Sequence, residues 1–523
     1  MPTLSLQRLR GLMAALALVP GLLVASPPAR AESPNEQAAG QTEPASAAAP
    51  EPARLEPAPV GRSSGILALP DERRIRYRTT AETLPIVDRT GKTTADIFVV
   101  SYAAEAMDSA TRPVTFLFNG GPGAASAFLM LGAAGPKVLV TNADGTVPRP
   151  PARLEDNPAS WLAFTDLVFV DPVGTGFSRA TGDKRNADRQ FWGVDSDVDA
   201  LSEIVRLWLT RNGRWASPKF LAGESYGGFR AVLMAKALQR NEGVDVSGLV
   251  LVSPALELSI TYGGEYEVLP WALHLPSMAA AAQAQRKVPA ATPAEVERFA
   301  LTDYLLALSA LDRPGGVELA AIYREVAALT GLPEDLVRRH DGRIPRSVFA
   351  KELLRDQYRA LSIYDASISG PDPNPDESQL GPDPMLDGLI APYATAFNAY
   401  ARSELGYESD VPYRLLNRAV SRNWTWDDDG GSRSDAGVMG ALESILALNP
   451  SLRVLVAHGA YDLVTPYFAS VWLIDRMQLP DEITANVRLR VYEGGHMMYM
   501  RPAERAKLTA DLEALYESAL AGT

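Results

Sequence analysis

Hydrophobic and polar positions alternate with different periods along the chain. Arg74 to Thr79 and Asp96 to Ser101 alternate in the manner of half-buried strands, and Asp88-Arg89-Thr90-Gly91-Lys92 between them reads as a hairpin turn. Largely apolar runs, the mark of strands covered on both faces, follow at Val114–Phe118, Asp166–Val170, Phe220–Ala222, Gly248–Val252 and Leu452–Ala457, and Val487–Tyr492 is read as the last strand. Helical spacing lies between them. Val198, Leu201, Val205 and Trp208 share one face, as do Phe229, Val232, Leu233 and Ala237, and an amphipathic helix is predicted from about Pro502 to Ala521. Strands alternating with helices predict an α/β domain whose central sheet is mostly parallel and covered by helices on both sides.

From residue 260 to 435 this rhythm stops. Thr292-Pro293-Ala294-Glu295 is a capping box with proline at the first helical position, Gly331-Leu332-Pro333 and Asp341-Gly342 punctuate further short helices, and Gly370 to Pro384 reads as a loop. The expected organisation is a helical cap over 260–435, inserted between two parts of one sheet domain, 62–259 and 436–523. Such a cap is placed to cover the site and select substrates. Residues 32–61 are rich in Ala, Pro and Glu and too poor in large apolar residues to order themselves, so they are expected to be a flexible linker. In residues 1–31, Arg8 and Arg10 precede the apolar run Leu12–Ala25, and Ala29-Arg30-Ala31 supplies a small-x-small cleavage site. Pro20 and the short apolar length favour a cleaved signal peptide over a membrane anchor. The mature protein is expected to be exported, secreted or in a bacterial periplasm, with no membrane attachment.

Composition narrows the chemistry. The 523 residues are 46% apolar and 22% charged, as in an ordinary globular protein, and the net charge of −13 gives no electrostatic case for binding nucleic acid. There is no cysteine, which excludes a thiol nucleophile, thiolate metal sites and disulfides. Four histidines without a His-x-x-x-His pair argue against a zinc hydrolase, and no motif implies a metal or organic cofactor.

The strand Phe220–Ala222 runs into Gly223-Glu224-Ser225-Tyr226-Gly227 and then into helical spacing. Strand, Gly-x-Ser-x-Gly and helix together make a nucleophile elbow, a turn so tight that only small residues fit on either side of the serine. Asn119-Gly120-Gly121-Pro122-Gly123 follows an earlier core strand, where an α/β-hydrolase places half of its oxyanion hole. Asp462 follows one late strand and His496 the next, so Ser225, Asp462 and His496 stand in the order of the α/β-hydrolase triad. His458 ends a strand too early in that order and is read as a packing or pocket residue; His274 and His340, in the cap, are read as structural or surface histidines.

Five motifs in order resemble the serine carboxypeptidase family: Asn119–Gly123, Asn157-Pro158-Ala159-Ser160-Trp161, Asp171-Pro172-Val173-Gly174-Thr175-Gly176-Phe177-Ser178, Gly223–Gly227 and Gly494-Gly495-His496-Met497. The resemblance runs from about Ser64 to the end and is weak in the cap. It implies a peptidase acting on peptides with a free C-terminus. Ser225 would be the nucleophile, His496 the general base and Asp462 its orienter, with the oxyanion hole at the N–H groups of Gly121 and Tyr226. Asn119, Gly120 and Glu224 would bind the substrate's α-carboxylate, Glu224 as the protonated acid, which implies a preference for acid pH. Three places depart from the family: Leu117 replaces a frequent tryptophan, Gly132-Ala133-Ala134-Gly135-Pro136 lacks an acid of the carboxylate network at Ala133, and Gly459-Ala460-Tyr461-Asp462 replaces Gly-Asp-x-Asp. An aminopeptidase of the proline-iminopeptidase type, an esterase or acyltransferase, and a catalytically dead binding protein are the alternative readings.

Overall fold

The computed structural model of the protein describes residues 59–521, except 106, 183–186, 265, 290, 311–317 and 427–431. The expected signal peptide and nearly all of the expected linker lie outside the described residues. Nine strands form the spine of the sheet: β1 (Gly61–Ala68), β2 (Arg74–Val87), β3 (Thr93–Ala104), β4 (Val114–Phe118), β5 (Asp166–Val170), β6 (Lys219–Glu224), β7 (Gly248–Val252), β8 (Arg453–Gly459) and β9 (Val487–Tyr492). They lie in the order β1-β2-β3-β5-β4-β6-β7-β8-β9, with the two-residue strand Arg179–Ala180 added beside β3. The β1/β2, β2/β3 and β3/β5 pairs are antiparallel, and every pair from β5/β4 to β8/β9 is parallel. The first hairpin is longer than the alternation suggested, because β2 and β3 stay paired from Tyr77↔Ala104 to Val87↔Thr93.

The strand period of two sorts side chains to the two faces. In β4, Phe116 and Phe118 join one apolar cluster while Leu117 points into the other; in β6, Leu221 joins the first and Phe220 and Ala222 the second. Helix α1 (Val194–Asn212) and helix α2 (Tyr226–Ala237) cover the first face. Val198, Leu201, Val205 and Trp208 are buried as their spacing predicted. On α2 the buried face is wider than predicted. Leu233 and Ala237 sit at its half-buried margins, and Met234, Ala235 and Leu238 are buried with Phe229 and Val232. The helix is packed between α1, the sheet and the later helix Met439–Leu448, so it has almost no solvent face.

Between β7 and β8 lie helices α3 (Leu258–Tyr262), α4 (Leu269–Ala284) and α5 (Leu386–Ser403), with shorter ones between. A third apolar cluster gathers residues between Ala272 and Ala366 with Leu463, Tyr467, Phe468 and Ala469. Helix α5 instead packs Leu389, Tyr393, Ala396 and Phe397 into the cluster on the sheet's second face. The capping box forms: the Thr292 side chain accepts from the Glu295 N–H, and Glu295 accepts from the Thr292 N–H at 3.0 Å. Helices α4 and α5 run 16 and 18 residues, longer than the short helices expected here. Each carries an internal proline, Pro276 or Pro392, which reads as a break in sequence. Helix α4 is also apolar nearly all round and so shows no 3.6-residue period. Helix α6 (Pro502–Leu520) closes the described chain, its Tyr516 stacked on Phe220 of β6 at 3.8 Å. No described helix is long and apolar enough to cross a membrane.

Candidate active site

The site is assembled at the carboxyl ends of the parallel strands, where β4, β6, β8 and β9 deliver their loops to one place. Ser225 follows β6 directly, at φ 60° and ψ −123°, a strained conformation for any residue but glycine. The surrounding glycines leave no room for a side chain. A Cβ on Gly223 would lie 1.9 Å from the Gly227 carbonyl oxygen, and one on Gly227 would lie 2.4 Å from that of Phe118. A Cβ on Gly120 would stand 2.6 Å from the Tyr226 nitrogen, so the loop after β4 runs hard against the elbow. The Tyr226 N–H, at the first position of α2, has no acceptor within the helix. The Gly121 N–H donates to no described group.

His496 and Asp462 come together as expected. His496 Nδ1 lies 2.7 Å from Asp462 Oδ2, and donation from Nδ1 leaves Nε2 as the basic nitrogen. Asp462 Oδ1 accepts from the N–H groups of Val464 at 2.7 Å and Thr465 at 3.0 Å. The Thr465 hydroxyl is 2.7 Å from Asp462 Oδ2 and 3.0 Å from the Ser253 carbonyl. Burial alone would raise the pKa of Asp462. The charge and hydrogen bond of His496, with the donors of Thr465, outweigh it and hold the carboxylate below its usual range. Burial likewise pulls His496 down, but Asp462, with help from Glu224, raises it above the ordinary histidine value. The His496 backbone is held from both ends: its N–H donates to the Tyr364 carbonyl at 2.5 Å and its carbonyl accepts from Ser253 Oγ at 2.8 Å.

Glu224 is buried beside the serine, and burial pushes its carboxyl up to about 7, against the opposing pull of His496 and of donors from Tyr499 and Asn119. The Tyr499 hydroxyl donates to Glu224 Oε2. Asn119 Oδ1 accepts from the Leu129 N–H at 3.0 Å, which turns its amide NH2 toward Glu224. Arg230 of α2 fixes the loop from below: it is fully buried, pairs with Asp197 at 2.5 Å and donates to the Asn119 carbonyl at 2.6 Å. A cavity of about 300 Å³ opens above, lined by Gly120, Gly121, Glu224, Ser225 and His496 on the sheet side.

All eight residues singled out in the sequence therefore meet around one cavity or directly beneath it. His458 is buried outside it, with Nε2 2.8 Å from Ser470 Oγ and its pKa lowered by burial to about 4. His274 is also buried, its Nδ1 2.8 Å from the Pro270 carbonyl and its pKa likewise lowered to about 4 by burial. Sequence reasoning missed Thr465, Tyr499 and Arg230. Thr465 and Tyr499 each stand three residues after a singled-out residue, the only signal they offered.

A family model described as serine carboxypeptidase matches residues 87–509. The chain belongs to the serine carboxypeptidase family. Among its relatives, the pheromone-processing carboxypeptidase KEX1 of Yarrowia lipolytica is 31% identical over 165 residues, 31% of this chain and 24% of the relative. Serine carboxypeptidase-like 44 of Arabidopsis thaliana is 29% identical over 217 residues, 39% and 41% of the two chains. The alignments thus span less than half the length of these relatives. Among solved structures, brefeldin A esterase, titled a bacterial homologue of human hormone-sensitive lipase, aligns with 88% of this chain and 81% of its own at 13% identity and a TM-score of 0.38. The fold is an α/β-hydrolase fold on the strength of its sheet order and the family match.

Within that family frame, the stretch without an acid has its own solution. A Cβ on Gly132 would lie 2.4 Å from the Tyr393 hydroxyl and 2.6 Å from the Tyr499 ring. Two tyrosines therefore occupy the space over Gly132, and one of them supplies a hydrogen bond to Glu224. Asn157 ties this stretch down, donating to the carbonyls of Ala133 at 2.8 Å and Gly135 at 2.9 Å. The Asp171–Ser178 motif is a tight turn at the end of β5. Ser178 Oγ donates to the Asp171 carbonyl at 2.6 Å, and Asp171 Oδ1 accepts from the Ser126 N–H at 2.8 Å, bracing the segment after Gly123.

Proposed function

We propose that this protein is a serine carboxypeptidase that releases the C-terminal amino acid of peptides through an acyl-enzyme. Ser225 Oγ attacks the last peptide carbonyl while His496 Nε2 takes its proton. The imidazolium so formed is held by Asp462, and the oxyanion is met by the N–H groups of Gly121 and Tyr226. His496 then gives the proton to the departing amine, and water, deprotonated by the same nitrogen, releases the acyl group.

The observation that carries the exopeptidase reading is Glu224. A buried carboxyl beside the nucleophile, with a pKa of about 7 and with Asn119 at its side, is protonated at acid pH. Only the protonated acid can donate to a substrate carboxylate. The protonated acid, a donor, does not pair with a free N-terminal ammonium, which has only donors to offer.

One short peptide in three forms tests this at pH 5: N-blocked with a free C-terminus, N-blocked with a C-terminal amide, and N-free with a C-terminal amide. Cleavage confined to the first is expected; cleavage of only the third would overturn the reading in favour of an aminopeptidase. The pH profile on the first form should fall about tenfold per unit above about 7, as a single ionisation requires. In Glu224→Gln that alkaline limb should vanish, because the amide stays a donor at every pH. The acid limb, set by His496 while Glu224 is protonated and neutral, should stay where it is, since the amide is neutral as well.

A further inference from the structure

The catalytic cavity has a second set of polar groups that the proposed chemistry does not use. On the side away from the sheet, Arg346 and Arg433 line it together with Tyr262. Both guanidiniums lie over the Tyr262 ring, 5.1 Å and 4.1 Å from its centroid, and Arg433 also lies 5.3 Å from the centroid of Trp426. Arg346 Nη1 is 3.3 Å from the carbonyls of Leu463 and of Val464, in the loop that carries Asp462. Stacking and carbonyl contacts orient a guanidinium without neutralising it. Among the described residues, no carboxylate forms an ion pair with either arginine.

A second cavity of about 230 Å³ adjoins the first, sharing Tyr262 and Arg346 and adding Trp271 and His274. Burial keeps His274 neutral at ordinary pH, so Arg346 is the cation of that cavity. Two like charges facing one cavity repel each other unless an anion enters between or beside them.

We propose that Arg346 and Arg433, held by Tyr262, form an anion subsite that selects peptides carrying an acidic side chain next to the bond being cut. The proposal rests on the carboxypeptidase reading. The guanidinium edges offer paired N–H donors that match a carboxylate's two oxygens, and a neutral amide of the same shape offers only one acceptor.

The test uses four N-blocked dipeptides with free C-termini at pH 6: Glu-Leu and Gln-Leu for the acyl side, Leu-Glu and Leu-Gln for the leaving side. Wild type should favour Glu over Gln about tenfold in kcat/KM within one pair, the size of one charge-assisted pairing. That pair identifies the side. In Arg433→Gln the ratio should fall to near one, mainly through a higher KM for the Glu peptide, and Arg433→Lys should restore part of it. Arg346→Lys should lower the same ratio while keeping a positive charge for the Leu463 and Val464 carbonyls. A wild-type ratio near one in both pairs overturns the proposal. So does an equal loss on Glu and Gln peptides in Arg433→Gln, which would mean that Arg433 serves the C-terminal carboxylate common to all four. If no peptide is cleaved, the carboxypeptidase reading fails on its own, and protection of Ser225 from a fluorophosphonate label decides the subsite. Stronger protection by the Glu peptide supports it, and equal protection overturns it.

Discussion

The two sides of the catalytic cavity are built on different rules. The sheet side is made of backbone: glycines at 120, 121, 223 and 227 let the loop after β4 and the elbow touch, and the functional groups are N–H donors and side chains fixed to strand ends. The opposite side is made of side chains on short helices and loops, where Tyr262, Arg346 and Arg433 meet from three separate segments. A backbone-built side tolerates almost no change, because each added carbon collides with a carbonyl or an amide. A side-chain-built one can change residue by residue with little cost to the fold. The first suits a fixed reaction and the second a variable choice of substrate.

That contrast can be broken in three places. The largest effect is expected at Gly223→Ala. Its Cβ would sit 1.9 Å from the Gly227 oxygen, and no flexible side chain is available to move aside. A loss of more than about 4 kcal/mol is expected, with little soluble protein and no fluorophosphonate labelling. A well-folded, active variant would show that the elbow is not backbone-limited. Next is Thr465→Val, which keeps the shape and removes the hydroxyl facing Asp462 and Ser253. Losing a hydrogen bond to a charged group, worth about 1.5–3 kcal/mol, should lower kcat about 10- to 100-fold with KM little changed. An unchanged kcat would leave Thr465 as mere packing. The smallest effect is expected away from both sides of the cavity, at the exposed Gly388→Ala in helix α5. A Cβ there meets nothing within 4 Å, and replacing a helical glycine should add about 0.5–1 kcal/mol to stability. A thermal melt that fell instead would extend the backbone rule to this segment.

The same contrast explains what could be read without a structure. The parallel strands, the elbow and the order Ser225, Asp462, His496 were legible because each depends on a local pattern: an apolar run, a glycine on either side of the serine, an acid or histidine just past a strand. Glu224 and Asn119 were reached through family resemblance, and the structure adds the burial that gives Glu224 its raised pKa. Thr465, Tyr499 and Arg230 were not legible, since a threonine, a tyrosine and an arginine in ordinary company carry no mark of what they will touch. Helices α4 and α5 exceed the short helices expected for this block; the internal proline of each looks like a stop in sequence, and surrounding packing overrides it. The arginines over Tyr262 were invisible for a further reason. They lie far apart in the chain, and no local period connects 262, 346 and 433.

The contact of Gly132 with Tyr499 bears on how the carboxylate network can change over generations. Any side chain introduced at 132 collides with the Tyr393 hydroxyl and the Tyr499 ring, so a larger residue there becomes tolerable only after both tyrosines have given way. Shrinking 499 first removes the phenol that donates to Glu224. Each single step is harmful where the changes together need not be. Lineages carrying this glycine and these two tyrosines should therefore keep all three or exchange them together, and a chimera that takes only position 132 from another kind of parent should be worse than either parent.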